Sequence, residues 1–309
     1  MSDSKFRLVT RSDFDGLVCA MILKEMNLID EIKFVHPKDM QDGKVEISAR
    51  DITTNLPYVE GVHLAFDHHL SETIRVGKRD NHIIQADAPS AARVVYNYYG
   101  GAAKLPRISE EMMLAVDKGD SAQFTKDEVL TPTGWNLMNF LMDARTGLGR
   151  FREFRISNYQ LMMELIDYCL DHSIEDVLAL PDVRERTELY FDQQAKFTEQ
   201  VNRCTTVRGN VAVLDLRDED PIFAGNRFLI YALFPQTNIS IHVMRGFQNQ
   251  NVVFACGKSI FDRSSGTNVG ELMLRYGGGG HLNAGTCQVG HDKAAETLEA
   301  LVAQMNADG

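Results

Sequence analysis

The chain has 309 residues, enough for two domains, with 44% hydrophobic and 24% charged residues, as is ordinary for a globular protein. A net charge of −11, histidines neutral, argues against tracking of long duplex nucleic acid, a task that calls for a basic face. The longest apolar runs, such as residues 229–234, are far shorter than the ~20 residues of a membrane helix. The polar N-terminus carries no signal-peptide stretch, and five scattered cysteines without a C-x-x-C pair argue against a disulfide framework and a zinc ribbon. The expectation is a cytoplasmic protein with no membrane partner; a homodimer is compatible with it.

In chain order, residues 6–10 read as a short buried strand and 16–27 as a helix with apolar positions at Leu17, Val18, Met21, Ile22 and Met26. Residues 32–35, 45–47 and 62–66 read as further strands. Strands alternating with helices predict a parallel sheet covered on both faces, with ligands at the carboxyl ends of its strands. On this reading Asp13, Asp51 and Asp67 all fall at or just after strand ends. Residues 89–151 are mainly helical, with Pro89 suited to the first position of a helix. Residues 154–180 read as helical, and 183–203 suit a long connecting helix. Strands follow at 211–216, 239–243 and 252–256, then a helix at 269–275, a glycine run, a strand at 286–289 and a last helix at 294–305. The fold class is α/β. Residues 1–195 form a parallel-sheet domain, residues 205–309 a smaller mixed α/β domain, and a helical linker joins them.

Three segments carry chemistry. In Arg11-Ser12-Asp13-Phe14-Asp15-Gly16, two carboxylates share one strand-to-helix loop, and divalent ions favour such ligands. Asp and Gly are also ordinary turn residues there. Asp67-His68-His69 follows an apolar strand and offers a metal ligand and a donor to phosphate; a polar loop with two solvated histidines is the alternative. The third segment is Gly277-Gly278-Gly279-Gly280-His281-Leu282-Asn283-Ala284-Gly285. Four glycines let backbone N–H groups approach an anion, and a flexible linker is the competing reading.

D-x-D-G, an isolated aspartate, D-H-H, a further aspartate and a distal G-G-G-H-x-x-A-G, in this order, resemble the DHH phosphoesterase superfamily with its DHH-associated C-terminal domain, over nearly the whole chain. The resemblance implies a metal-dependent phosphoesterase acting on short oligonucleotides or small nucleotides. It implies Mn2+ as one or two ions, with Mg2+ or Co2+ as alternatives. Asp13 would bind a first ion, Asp15 and His68 a second, and Asp51 would bridge them. Asp67 would orient the site, and His69 would contact the phosphate or the leaving oxygen. The last ligand would be Asp120, which fits an Asp followed four residues later by Phe, or Asp117. Gly278, Gly279, Gly280, His281 and Arg263 would hold the rest of the substrate in the distal domain. A base-binding substrate domain should supply aromatic platforms; Phe247 and Phe261 are candidates, and a place in the core is the alternative for either.

One departure matters. The family's first motif begins with histidine, and this chain has Arg11 there. Guanidinium stays protonated and offers no acceptor, so it is a poor metal ligand. The first ion would bind weakly, or Arg11 would replace its charge and clamp a phosphate, or catalysis would be impaired. An inorganic polyphosphatase or pyrophosphatase, or a non-catalytic nucleotide-binding protein, are the competing functions. The arginines of the 145–155 segment, Arg145, Arg150, Arg152 and Arg155, either guide an anionic substrate or form a solvated face.

Overall fold

The computed structural model describes residues 5–69, 72, 75–151 and 153–309, which leaves out Arg152. The chain divides into two units, Met1–Gln123 with Pro132–Leu189 and Phe124–Thr131 with Tyr190–Gly309. Residues 124–131, which sequence reading assigns to the first domain, thus fall in the second unit.

In the first unit, β1 (Phe6–Thr10), β2 (Ile29–Phe34), β3 (Asp51–Thr54), β4 (Leu64–Asp67) and β5 (His82–Ile84) form a parallel sheet in the order β2-β1-β3-β4-β5. The chain runs from β1 to β2 on one side and then crosses to β3 on the other. The order therefore reverses between β1 and β3, where doubly wound sheets open a crevice at their carboxyl edge. Helix α1 (Phe14–Glu25) starts directly at that edge, and every residue from Phe14 to Leu23 is buried. A helix apolar on all sides belongs inside a domain, and α1 packs against β1, α3 (Ala91–Tyr98), α4 (Glu110–Asp120) and α7 (Asn158–Tyr168). In chain order, α2 (Pro37–Gln41) precedes α3, and α5 (Lys126–Leu130, in the second unit) and α6 (Gly134–Met142) come after α4 and before α7.

Two local readings are corrected. Residues 45–47 form no strand: Val45 packs with Val9, Met40 and Leu56, and Ile47 lies against this cluster. The third strand is instead the run Asp51-Ile52-Thr53-Thr54, fully buried and rich in β-branched residues. Pro89 precedes its helix, because Ser90 is the cap of α3 and its Oγ accepts from Arg93 N.

Helices α8 (Ile174–Ala179) and α9 (Pro181–Cys204) follow. The second unit holds a six-stranded sheet, in which β6 (Thr205–Arg208), β7 (Val211–Asp215), β8 (Ile239–Arg245), β9 (Val252–Lys258), β10 (Gly279–His281) and β11 (Ala284–Val289) take the order β10-β11-β9-β8-β7-β6. Only β7 and β8 run parallel. Alternate residues of these strands, such as Ile239, Ile241 and Val243, pack with α11 (Val269–Leu274) and α12 (Ala294–Asp308); α10 (Leu229–Leu233) lies in the same unit. Sequence reading misses β6 and β10. The glycine run is part of a tight hairpin, with Gly280 opposite Gly285. A Cβ on Gly278 would lie 2.1 Å from Thr286 O, and one on Gly280 2.3 Å from Ala284 O. Close backbone packing therefore calls for glycine at these two positions. Among the described residues no helix is long and apolar enough to cross a membrane.

Candidate active site

The site is assembled at the carboxyl edge of the first sheet. β1 ends at Thr10, and the chain turns at once into α1. Asp13 caps that helix, and its Oδ1 accepts from Gly16 N at 3.0 Å. A Cβ on Gly16 would meet Arg11 O at 2.0 Å, so only glycine allows this turn. Arg11 folds back on the loop, with Nε 3.1 Å from Asp13 Oδ2.

Asp15 is buried in the first turn of α1. Its carboxylate accepts from Ala92 N at 2.7 Å and Ala91 N at 3.2 Å, and so sits at the N-terminus of α3, where helix amides and the macrodipole favour an anion. Burial pushes its pKa well above the carboxylate range, and the neighbouring charges of Asp120 and Asp13 push it the same way.

β4 ends in Asp67, whose Oδ1 accepts from His68 N at 2.7 Å and lies 2.6 Å from His69 Nδ1. This carboxylate fixes the His69 ring and leaves Nε2 pointing away from it. His68 is oriented differently: its Nδ1 lies 3.1 Å from the carbonyl of Ala88, and an N–H there leaves the lone pair on Nε2. Nε2 lies 2.9 Å from Asp120 Oδ2, yet it makes no well-aligned hydrogen bond. Burial lowers the His68 pKa, but the Asp120 carboxylate outweighs this and lifts it to about 9.

Ligand atoms of Asp15, His68 and Asp120 all lie within 4.8 Å of one another. A buried carboxylate, an imidazole with its second nitrogen available and another carboxylate are the donor set of a borderline divalent ion. The upward pull on Asp15 and His68 is what such a set shows when protons alone balance its charge. These residues fit a divalent metal ion.

Other expected members lie elsewhere. Asp51 is the first residue of β3, in register with Arg7 at the amino edge of the sheet. Its carboxylate takes Arg7 Nε at 2.6 Å, Arg7 Nη2 at 3.0 Å and Ser48 N at 2.6 Å. Bridging two ions from there is ruled out by the length of the strand. Asn55 holds the carboxyl end of β3, and sequence reading missed it. The only available signal was the β-branched run 52–54, which reads as a buried strand ending in an αL-tolerant residue. Asp117 is likewise a structural group, because its carboxylate accepts from Ser90 Oγ at 2.7 Å and from Arg93 Nε at 2.8 Å. Asp120, one turn on, reaches the cluster.

Asp13, Asp15 and Asp120 line one open pocket together with Asn139, Asp143 and Arg145. Arg145 is held by Asp143 Oδ1 at 2.7 Å and remains exposed, a cationic rim for an anionic ligand. In the second unit, His281 lies on the edge strand β10, Arg263 Nε donates to Ile260 O, and Phe247 and Phe261 are 81% and 36% exposed.

No family model and no curated protein matches the chain. Among solved structures, the pGpG-specific phosphodiesterase PggH from Vibrio cholerae is 64% identical, covering 99% of this chain and 100% of that one, with a TM-score of 0.84. The DHH domain of a member of the s1p family of ribosomal proteins is 12% identical, with a TM-score of 0.59 over 98% of this chain and 87% of that one. RecJ from Thermus thermophilus, solved in complex with Mn2+, is 15% identical, with a TM-score of 0.55 over 98% of this chain and 52% of that one. These last two share the fold. The chain belongs to the DHH superfamily of phosphoesterases.

Proposed function

We propose that this phosphoesterase hydrolyses pGpG, the linear 5′-phosphorylated guanosine dinucleotide, into two molecules of GMP, with Mn2+ as its metal. The observation that carries the reading is the 64% identity to a pGpG-specific phosphodiesterase over essentially the whole of both chains. The buried Asp15, converging with the partly exposed His68 and Asp120, supports it as a metal-dependent centre. When bound, the ion supplies an activated water and neutralises charge developing on the phosphoryl oxygens. The protein's own groups do the rest. Asp67 locks the His69 ring by accepting from Nδ1–H, so that the ring in its imidazolium form can hydrogen-bond the phosphate through Nε2–H or give that proton to the departing 3′ oxygen. Arg145 draws the dinucleotide phosphates to the pocket. The small acidic chain suits a short substrate better than a long polymer.

The direct test is GMP release from pGpG with Mn2+, compared with pApA, pyrophosphate and polyphosphate. Turnover of pGpG at least about ten-fold above the rest supports the reading, a ratio that corresponds to ~1.4 kcal/mol of transition-state discrimination. Preference for polyphosphate overturns it. A second measurement isolates His69. Asp67→Asn keeps the shape but turns an obligate acceptor into a partial donor, so the ring loses its fixed tautomer. Turnover should fall about 10- to 100-fold, as for other orienting partners of functional histidines.

A further inference from the structure

The family resemblance implies one or two ions. The arrangement of this chain's residues fits one of them and not the other. Asp15, His68 and Asp120 converge, but the bridging aspartate does not, because Asp51 is at the far end of β3 and is saturated by Arg7 and Ser48. At the near end the position is occupied by Asn55. Thr54 pairs with Thr10 of β1 and with Phe66 of β4, and Asn55 N donates to Phe66 O at 3.1 Å. The residue therefore sits on the same sheet edge as Arg11, which follows Thr10, and Asp67, which follows Phe66. This is the edge where the strand order reverses.

Asn55 is only 2% exposed, and both Nδ2 and Oδ1 lack a hydrogen-bond partner among the described residues. A buried amide left unpaired is costly, and one placed at the edge that holds the metal ligands has both a donor and an acceptor to offer a bound molecule. It is neutral, and a carboxamide oxygen is a much weaker ligand for Mn2+ than a bridging carboxylate. Asp13, the remaining candidate ligand for another ion, already has a guanidinium 3.1 Å away. A fixed positive charge at that distance repels a cation and attracts a phosphate.

Resting on the phosphodiesterase reading above, we infer that this centre takes a single divalent ion, at Asp15, His68 and Asp120, and that Arg11 and Asn55 take the place of a second ion by donating directly to the substrate phosphate. The guanidinium supplies the charge and the Asn55 Nδ2 a directed N–H. Asn55 is thus a substrate-binding residue.

The test counts ions on the full-length chain before any turnover is measured. Metal-free protein is titrated with Mn2+, and free ion is followed by electron paramagnetic resonance. The expected result is one tightly held Mn2+ per chain with an uncoupled six-line spectrum. The double variant Arg11→His/Asn55→Asp should hold two, with the multiline signal of a coupled pair. Two ions on the unmodified chain overturn the inference whether or not the variant folds. So does a single ion on a double variant whose circular dichroism and melting match the parent. The companion variant Asn55→Ala should keep one ion and raise KM for pGpG at least about ten-fold; loss of the ion there would make Asn55 a ligand and also overturn the inference. Ion counts do not depend on the substrate, so one ion without pGpG turnover would sink the functional reading and leave the single-ion centre standing.

Discussion

Asp120→Asn is expected to lower kcat/KM for pGpG by about a thousand-fold, equivalent to ~4 kcal/mol of transition-state stabilisation, with the fold retained. The replacement is isosteric, and Asp120 ends its helix with its side chain 22% exposed, so little packing is lost. What is lost is charge. Burial would raise the Asp120 pKa, but the His68 imidazole outweighs it and holds the carboxyl below its ordinary value, so it is ionised throughout the neutral range. An amide in its place removes one of only two anionic ligands in the cluster and leaves His68 Nε2 facing a neutral group. Mn2+ affinity should fall with activity, which a metal titration reads directly. Asp117→Asn is the matched control, three residues earlier on the same helix. Its carboxylate belongs to Arg93 and Ser90, so the variant should lose some stability and keep its Mn2+ affinity within a few-fold. Equal loss of metal in the two variants would contradict the placement of the site.

Much of this was legible in the sequence. A buried strand, an Asp-x-Asp-Gly turn and an apolar helix put Asp13 and Asp15 at one sheet edge, and the apolar run before Asp67 put the two histidines there too. These inferences worked because strand and motif adjoin, so an error of one or two residues does not move the motif to another edge. The region between residues 45 and 55 failed for the opposite reason. Val45 and Ile47 are apolar and β-prone, and they do pack, but against Val9, Met40 and Leu56 as part of a loop. Placing the strand there put Asp51 after it. With the strand at 51–54, the same residue begins it, four positions from the site, and Asn55 ends it. Local propensity cannot separate these registers, since the deciding contact, Asp51 with Arg7, spans 44 residues of sequence. The glycine run is ambiguous for a related reason. A backbone that must approach another strand and one that must approach a phosphate both call for glycine, and the pairing of Gly280 with Gly285 accounts for the first of these demands.

The Arg7–Asp51 pair yields the largest expected effect on stability. Asp51 is wholly buried, with its side chain 1% exposed against 22% for Arg7. Removing one partner of a buried pair leaves an uncompensated charge, which costs about 3–5 kcal/mol; the partial exposure of Arg7 argues for the lower end, about 3 kcal/mol. Arg7→Met, which keeps the apolar stem, should show this loss in urea unfolding at pH 7. The loss should depend on pH in a definite direction. Burial alone would raise the Asp51 pKa, but the Arg7 and Ser48 hydrogen bonds outweigh it and lower it below the ordinary value. A carboxyl depressed in the folded state stabilises most above its unfolded pKa, about 3.9, and loses that contribution as pH falls through the lower folded value. The gap between parent and variant should therefore be constant from neutral pH down to roughly 5 and close in more acidic solution. Mn2+ binding by folded Arg7→Met should match the parent, because the pair lies at the amino edge of the sheet and the metal ligands at the carboxyl edge. A variant that stays stable but loses its ion would instead return Asp51 to the metal centre.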